Sequence, residues 1–383
     1  MNVRSALLLA MCLAPGVARA AATDGTTVVP VVASPRVDYA SATLYSENDV
    51  YLLGTRSDRY YTAGQKLTWI SQRVEKFEDA FAAAWLRYWA GHITERARKN
   101  TASEQRRSAE SVSSAPPLLP PAQLRVAFSL GQNLFTPANI HTPVAQLNDR
   151  PYAAWTYFST ALQARSTSTG PRAWLSVWGA DLGMIGPAAL GKQVQDLVHD
   201  SRARPRAAGW HHQLANEPGL NLFHQAKLRW FTGQRHGFGA DAIGHAGFSV
   251  GNVSTYANAG ATLRLGLGLP DDFGPDVIRS GADTSQAGGT PPPWGAHVFG
   301  GFDTRLVGRD ISLDGNTFAR SQRVTREVFV GDFQFGLSLT FRRWTLCLSQ
   351  VRRTPEFKLQ DHAQAYGSFT LTLPFSRGRP GAR

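Results

Sequence analysis

The chain has 383 residues, 43% of them hydrophobic and 18% charged, with a formal net charge of +12. This length allows two ordinary domains or one large barrel. Only two cysteines are present, and Cys12 lies in a segment that we expect to be removed, leaving Cys347 alone. An intramolecular disulfide and a cysteine-rich metal site are therefore excluded.

The first twenty residues have the features of a secretory signal peptide. Arg4 gives a positive start, residues 6–14 are apolar, and Ala18-Arg19-Ala20 is an A-x-A cleavage site. We predict export with cleavage after Ala20, which removes Arg4 and Arg19 and lowers the net charge from +12 to +10. In an exported protein this charge favours an anionic surface or substrate over nucleic acid as the partner. The alternative is that the basic residues simply lie on solvated loops.

Most of the remaining chain alternates apolar with polar or small residues, as the strands of membrane barrels do. In Val328–Phe341, Phe333, Phe335 and Leu337 share one face, and Asp332 and Gln334 share the other. Comparable alternation covers residues 256–265 and 368–375. Nine further predicted strands are Ser41–Leu52, Thr62–Ser71, Leu124–Gln132, Ala154–Gln163, Ala173–Gly183, Leu222–Phe231, Ala242–Gly251, Val298–Val307 and Trp344–Val351.

The total of twelve is even, as single-chain bacterial barrels require, and a closed barrel leaves no backbone group unpaired in lipid. We predict an all-β fold: a 12-stranded antiparallel transmembrane β-barrel in the outer membrane, with a short helix in an extracellular loop. The predicted segments are a signal peptide (1–20), a periplasmic leader (21–38), the barrel (39–375) with a periplasmic insertion (73–121), and a basic tail (376–383).

The predicted loop helix lies in Gly179–Asp200, which leaves a strand and turns at Gly186-Pro187. On a helix, residues four apart stack on one face, so Gln195 and His199 adjoin. Leu190, Val194, Leu197 and Val198 form an apolar stripe that we expect to dock the helix. A small helix that presents glutamine and histidine suits acid–base chemistry, although a purely structural histidine has the same spacing.

Two more polar clusters fall on the same side of the predicted barrel, at residues 46–49 and 55–64. Their carboxylate and amide oxygens suit a hard cation such as Ca²⁺, while His199 takes a proton from water or a hydroxyl. A polar lumen wall is the alternative for Glu47, Asn48 and Asp49. Strict alternation places Asn48 and Asp49 on opposite faces, so both serve one site only where the strand ends or bulges.

Several longer segments carry a resemblance to a known family. They are SENDVY (46–51), DRYYTAGQKLTW (58–69), GQNLFTPANI (131–140), NDRPYAAW (148–155), GADLGMIGPAALGKQVQDLVH (179–199), GWHHQLANEPGLNL (209–222) and LDGNTF (313–318). In this order they resemble the outer-membrane lipid A 3′-O-deacylases of the LpxR type. The resemblance implies a twelve-stranded barrel and Ca²⁺-dependent hydrolysis of the 3′-linked acyloxyacyl chain of lipid A, at the extracellular rim.

The resemblance also implies roles for individual residues. It makes His199 the base that activates water, places the cation at Asp49 and Asn48, and gives Gln195 and Thr62 supporting roles. Basic residues near these positions are expected to contact the lipid A phosphates or to form a solvated rim. They are Arg59, Lys66, Lys192, Arg56, Arg202, Arg204 and Arg206.

The chain departs from the resemblance after His199, where some family members carry an acidic residue. Here residues 202–206 are a basic run, which puts any role for that acid in doubt. We expect a monomeric enzyme whose substrate is lipid A or lipopolysaccharide, with Ca²⁺ as cofactor and no nucleic acid partner. The alternatives are an outer-membrane phospholipase and a non-enzymatic channel or adhesin barrel.

Overall fold

The computed structural model describes residues 39–51, 59–74, 122–166, 172–235, 237–275 and 292–375. All of these residues belong to one compact unit, 37–383. The predicted signal peptide, the leader to residue 38, most of the predicted insertion (75–121) and the basic tail lie outside the described residues.

Twelve antiparallel strands close into a single barrel, in which sequence neighbours pair and the first strand pairs with the last. The strands are β1 (Ala40–Asn48), β2 (Tyr60–Ile70), β3 (Ala122–Thr136), β4 (Ala153–Ser166), β5 (Arg172–Ile185), β6 (Glu217–Arg235), β7 (Phe238–Gly251), β8 (Ser254–Leu267), β9 (Trp294–Asp310), β10 (Phe329–Phe341), β11 (Trp344–Arg353) and β12 (Gln364–Phe375). The predicted fold and its strand number are confirmed.

Strand limits differ from the predicted limits mostly at the ends. β6 runs from Glu217 to Arg235, well beyond the predicted Leu222–Phe231, because backbone pairing with β5 and β7 continues past the alternating segment. β1 is shorter than predicted, since it ends at Asn48 and a 3₁₀ turn follows at Asp49–Tyr51. This early end matters for the candidate site.

The outward faces of the strands carry exposed apolar side chains, which we call the lipid-facing belt. Its members include Leu44, Leu67, Trp69, Leu130, Phe158, Leu182, Leu222, Leu263, Phe302, Phe333 and Leu348. In β10, Phe333 and Phe335 are exposed, whereas Asp332, just before Phe333, is buried and accepts a hydrogen bond from Arg353 at 2.7 Å. Alternation therefore separates a lipid-facing outside from a polar inside, as in membrane barrels.

Paired charges and aromatic rings fill the interior at the end where β1 begins and β12 ends, here called the terminus end. Arg264 makes two hydrogen bonds to Asp241, at 2.8 and 2.6 Å, and also pairs with Asp272. Phe273, in the β8–β9 connection, packs in one cluster with Leu175 and other inward residues. Residues 269–275 therefore fold into the interior of the barrel.

The opposite end, here called the site end, carries the longer described loops. The helix α1 (Gly191–Ser201) lies between β5 and β6, and the short helix α2 (Ile311–Asp314) lies between β9 and β10. Short 3₁₀ turns at Pro187–Ala189 and Trp210–His212 flank α1. Within the described ranges, no helix is long and apolar enough to cross a bilayer.

Candidate functional site

The helix α1 packs on the outer wall of the barrel, not over its opening. It begins at Gly191, where a Cβ atom would lie 2.4 Å from the Cβ of Ala154 and 3.0 Å from Leu134 Cδ2. Leu134 of β3 pairs with Ala154 of β4, and both belong to the outward face of their strands. Glycine is therefore required at the helix start because the helix backbone touches the wall there.

Hydrogen bonds fasten the segment before α1 to the same strands. The Ala189 carbonyl accepts from Gln132 Nε2 at 2.6 Å and from Thr156 Oγ1 at 2.7 Å. The backbone N–H of Gly186 donates to the Ala154 carbonyl at 3.2 Å. Gln132 and Thr156 are polar residues on an outward face that is mostly apolar, and these bonds give a reason for their presence.

Burial along α1 is the reverse of what its sequence suggests. The buried residues are Gly191, Gln195, Asp196 and His199. Leu190 and Leu197 are 54% and 69% exposed, so the expectation that the whole apolar stripe docks the helix is wrong. Of that stripe, Val194 packs against the cluster containing Ala154 and Trp210.

A cavity between α1 and the outer wall brings together four of the predicted site residues. Asn48, Thr62, Gln195 and His199 all line it, and its open space is about 670 Å³. The other lining residues are Tyr51, Ala63, Gln65, Gln132, Leu134, Val194, Val198, Arg202 and Arg204. Residues from β1, β2, β3 and α1 thus converge on one space, although they lie up to about 150 positions apart in the chain.

Asn48 reaches this cavity by ordinary strand alternation, because it shares the outward face of Leu44, and Thr62 reaches it at a backbone irregularity. β1 ends at Asn48, whose neighbour Glu47 faces the interior and accepts a hydrogen bond from Tyr61 at 2.8 Å. The pairing of β2 with β3 shifts between Tyr61 and Ala63, which is a β-bulge at Thr62. Asn48 and Asp49 can serve one site only where the strand ends or bulges. This condition is met, since β1 ends at Asn48 and β2 bulges beside it.

Asp49 begins the 3₁₀ turn and is 1% exposed. Its Oδ2 accepts the backbone N–H of Arg59 at 2.9 Å, which ties the end of β1 to the start of β2. Asp49 is adjacent to Asn48 in the chain but is not among the cavity-lining residues. The structure thus brings Asp49 to the margin of the cavity, behind Asn48.

His199 is oriented by the basic run that follows it. Its Nδ1 lies 2.6 Å from the carbonyl oxygen of Pro205, and the backbone N–H of Arg204 donates back to the His199 carbonyl at 2.9 Å. A carbonyl only accepts, so Nδ1 carries the hydrogen and Nε2 carries the lone pair. Arg206 clamps the same turn through two hydrogen bonds to Asp200, which lower the pKa of that carboxyl.

Gln195 is oriented by a residue to which sequence reasoning gave no role. Trp210 Nε1 donates to Gln195 Oε1 at 2.6 Å. An indole N–H only donates, so the amide oxygen must face Trp210 and Nε2 must point away from it. Within the described residues Gln195 Nε2 has no hydrogen-bond partner, although Gln195 is 3% exposed. The cavity wall therefore presents a buried, unsatisfied N–H donor.

The basic residues predicted to bind substrate are distributed unevenly. Lys66 is 2% exposed and lies over the ring of Tyr45, because the alternation of β2 turns it inwards, and the structure does not bring it to the cavity. Lys192 lies on α1 and pairs with Asp196, while Arg59 lies at the start of β2. Arg202 and Arg204 do line the cavity, and they carry its positive charge.

The donor atoms near β1 suit a hard cation. Asn48 offers an amide oxygen and Asp49 a carboxylate, and oxygen is the ligand type that Ca²⁺ takes. Among the described residues, no group of three or more histidine, cysteine, aspartate and glutamate side chains gathers in metal-binding geometry. Of the described residues in this region, Asn48 and Asp49 would hold a Ca²⁺ ion, with backbone, water or substrate oxygens completing its coordination.

A closed barrel with a lipid-facing belt and a site on its outer wall defines a bacterial outer-membrane protein that acts at the membrane surface. A family model described as outer membrane protein LpxR matches residues 7–375. The chain belongs to this family, and the resemblance seen in its sequence is confirmed. Among curated proteins, no sequence matches the chain.

Solved structures agree on the fold. LpxR from Salmonella typhimurium has a TM-score of 0.64 at 19% identity, covering 88% of this chain and all of that one. The translocator domain of autotransporter NalP from Neisseria meningitidis has a TM-score of 0.40 at 9% identity, covering 90% of this chain and 89% of that one. The first supports a common barrel fold, and the second is too distant to carry an argument.

Proposed function

We propose that the protein is a Ca²⁺-dependent lipid A 3′-O-deacylase, which hydrolyses the ester of the 3′-linked acyloxyacyl chain. The observation that carries this proposal is the convergence of Asn48, Thr62, Gln195 and His199 on one cavity of the outer wall. A site on the outer wall suits a substrate that lies in the membrane itself. Membership in the LpxR family supports the same activity.

His199 acts as the general base in this proposal. With Nδ1–H held by the Pro205 carbonyl, Nε2 takes a proton from water as the water oxygen attacks the ester carbonyl carbon. The bond between that carbon and the sugar oxygen then breaks, and the sugar oxygen receives the proton from His199. The products are a free acyloxyacyl fatty acid and a sugar hydroxyl, so atoms and protons balance.

Gln195 Nε2 donates a hydrogen bond to the ester carbonyl oxygen, on which negative charge develops as the water attacks. Such preorganised donors commonly contribute about 10²-fold or more to the rate. When bound, a Ca²⁺ ion at Asn48 and Asp49 would polarise the ester carbonyl. Thr62 bonds Thr136 at 2.7 Å, which fixes the bulge that lets Asn48 and Thr62 share the cavity.

The anionic substrate meets the positive side of the cavity. Arg202 and Arg204 line it and match the phosphate groups of lipid A, since guanidinium binds phosphate with paired N–H donors. With the chain termini in the periplasm, the site end faces outwards, where the outer leaflet holds lipopolysaccharide. Arg59 and Lys192 do not line the cavity, and their predicted contacts with the lipid A phosphates stay predictions.

The deciding experiment presents the purified barrel with lipid A and, separately, with a diacyl phospholipid, each with Ca²⁺ and with a chelator. Mass spectrometry should show loss of the 3′-linked acyloxyacyl unit from lipid A in the presence of Ca²⁺ and not with chelator. Phospholipid should remain intact. Hydrolysis of phospholipid alone would instead identify a phospholipase, and release that is unchanged by chelation would remove Ca²⁺ from the mechanism.

A channel is the non-enzymatic alternative, and the interior argues against it. Arg264, Asp241, Asp272 and Phe273 occupy the barrel at its terminus end, where a conducting pore needs open, hydrated space. Conductance in planar bilayers tests this directly. We expect no ohmic conductance from the parent protein, and stable open channels without lipid A hydrolysis would contradict the enzymatic proposal.

A further inference from the structure

Leu197 on α1 and Leu190 just before it are both more than half exposed, whereas Gln195, Asp196 and His199 are buried. The two leucines are seven positions apart, which is about two helical turns, so they fall on one side of the helix. Exposed apolar groups that share one side mark a contact with a membrane or with a partner. The other exposed residues of the helix are polar: Lys192, Gln193, Asp200 and Ser201.

The lipid-facing belt ends close to the start of α1, with one polar pair of strand residues between them. On β3 and β4, three outward pairs follow one another: Leu134 with Ala154, Gln132 with Thr156, and Leu130 with Phe158. The helix start covers the first pair, the second bonds the Ala189 carbonyl, and the third is exposed in the belt. Successive outward residues of a strand lie about 7 Å apart. Leu190, next to Ala189, therefore lies beside the belt.

The same apolar stripe also enters the cavity. At about 100° per residue, Val194, Leu197 and Val198 fall within about 100° of arc on the helix surface. Val194 and Val198 line the cavity beside His199, while Leu197 is exposed. An apolar surface therefore runs continuously from the outside of α1 to the candidate base.

We propose that Leu190 and Leu197 are immersed in the acyl-chain layer of the outer leaflet, and that the stripe leads a substrate acyl chain into the cavity. The occupant of this surface is lipid hydrocarbon, because the surface continues the belt that already faces lipid. Arg202 and Arg204, at the end of the helix, lie at the level of the anionic headgroups. The acyl-chain route rests on the proposed function, whereas immersion of the helix does not.

Depth-dependent fluorescence quenching tests immersion without any activity. In a Cys347→Ala background, a bimane label is placed at Leu197→Cys, at the belt position Leu130→Cys, and at the exposed loop position Arg320→Cys. The proteins are refolded into phosphatidylcholine vesicles whose acyl chains are brominated. We expect the label at 197 to be quenched like that at 130, and the label at 320 to keep its fluorescence.

If the label at 197 instead behaves like that at 320, the helix faces water or another protein, and the proposal is overturned. A second test addresses the acyl-chain route by comparing Leu197→Glu with His211→Glu, which introduces the same side chain at an exposed position of the same loop, outside the helix. With lipid A in vesicles, Leu197→Glu should raise KM about tenfold or more, as expected when one leucine loses its apolar contact. His211→Glu should act as the parent does.

A parent-like KM for Leu197→Glu would overturn the acyl-chain route. If the unmodified protein itself leaves lipid A intact, the proposed function fails instead. The quenching result then decides the immersion of α1 by itself, so the two failures are distinguishable.

Discussion

Polar residues inside the barrel and polar residues on its outer wall are organised in opposite ways. Inside, charges pair with each other: Arg353 bonds Asp332 at 2.7 and 3.0 Å, and Arg150 bonds Glu356 at 3.0 Å. Burial alone would raise the pKa of Glu356, but Arg353 and Arg150 outweigh it and hold that pKa below its ordinary value. Charged groups of the interior are compensated in this way, although some of its neutral polar atoms, such as Trp155 Nε1 and Tyr157 Oη, have no hydrogen-bond partner among the described residues.

On the outer wall, Gln195 presents a buried N–H that nothing in the described structure satisfies, next to an oriented histidine. Buried polar groups are normally satisfied, so an unsatisfied donor in a cavity points to a ligand. We infer that paired charges mark the part of this barrel that supports the fold, and that an unsatisfied donor beside an oriented histidine marks the part that acts. The following predictions test this division, from the largest expected effect to the smallest.

Replacement of His199 by Ala should have the largest effect on activity. Loss of the general base is expected to lower the rate of lipid A hydrolysis by about 10²–10⁴-fold. The folded barrel should persist, as seen by its altered mobility in unheated SDS gels. His211, an exposed histidine of the same loop, supplies the control His211→Ala, which should retain activity. Equal losses in both variants would refute a specific role for His199.

Replacement of Gln195 by Leu should lower kcat by about 10²-fold, because the donor to the developing oxyanion is lost. Trp210→Phe keeps the amide but frees its orientation, so its loss of kcat should be smaller. Gln193→Leu, on the exposed side of α1, is the matched control. If kcat of Gln195→Leu is unchanged while KM rises, the amide binds substrate and does not stabilise the transition state.

Replacement of Arg264 by Met should destabilise the barrel and spare activity per folded molecule. It leaves the buried carboxylates of Asp241 and Asp272 uncompensated, which commonly costs about 3–5 kcal/mol. The measurement is the temperature at which the folded gel band disappears. Arg320→Met, at an exposed position, should leave that temperature unchanged, and a lipid A hydrolysis defect with normal stability would contradict the division.

The same pair predicts a pH dependence. Burial alone would raise the pKa of Asp272, but Arg264 outweighs it and holds that pKa below its ordinary value. A lowered folded-state pKa stabilises the protein above the unfolded pKa of about 4, and the contribution is lost as pH falls through the folded value. The parent should therefore lose thermal stability on acidification below about pH 4, and Arg264→Met should show a smaller acid loss.

Replacement of Arg206 by Gln should have the smallest effect. The pair of Arg206 with Asp200 is fully solvated, so its removal should cost little stability, but it loosens the turn that brings the Pro205 carbonyl to His199. We expect a modest fall in kcat. Arg206→Lys, which keeps the charge, should recover part of it. An unchanged kcat in Arg206→Gln would show that the turn does not need this ion pair.

The sequence predicts the barrel well because alternation has a period of two over every strand. The same alternation predicts the inward position of Lys66, since Leu67 and Trp69 face lipid and the even-numbered residues beside them must face inwards. The hydrogen bond from His199 to the Pro205 carbonyl could not be predicted, because every residue has a backbone carbonyl and the residue type does not show which one will accept. The role of Trp210 depends on tertiary contact across fifteen residues, which its motif alone does not reveal.

The central claim is that catalysis takes place in the gap between α1 and the outer wall, and steric exchange at the helix start tests it most directly. Gly191→Ala places a Cβ 2.4 Å from that of Ala154, whereas adding Ala154→Gly removes the clashing atom. Gly300→Ala, where the nearest atom lies 4.0 Å away, is the control. We predict a folded barrel that loses lipid A hydrolysis in Gly191→Ala and regains part of it in the double variant. Full activity in a folded Gly191→Ala protein would contradict the account.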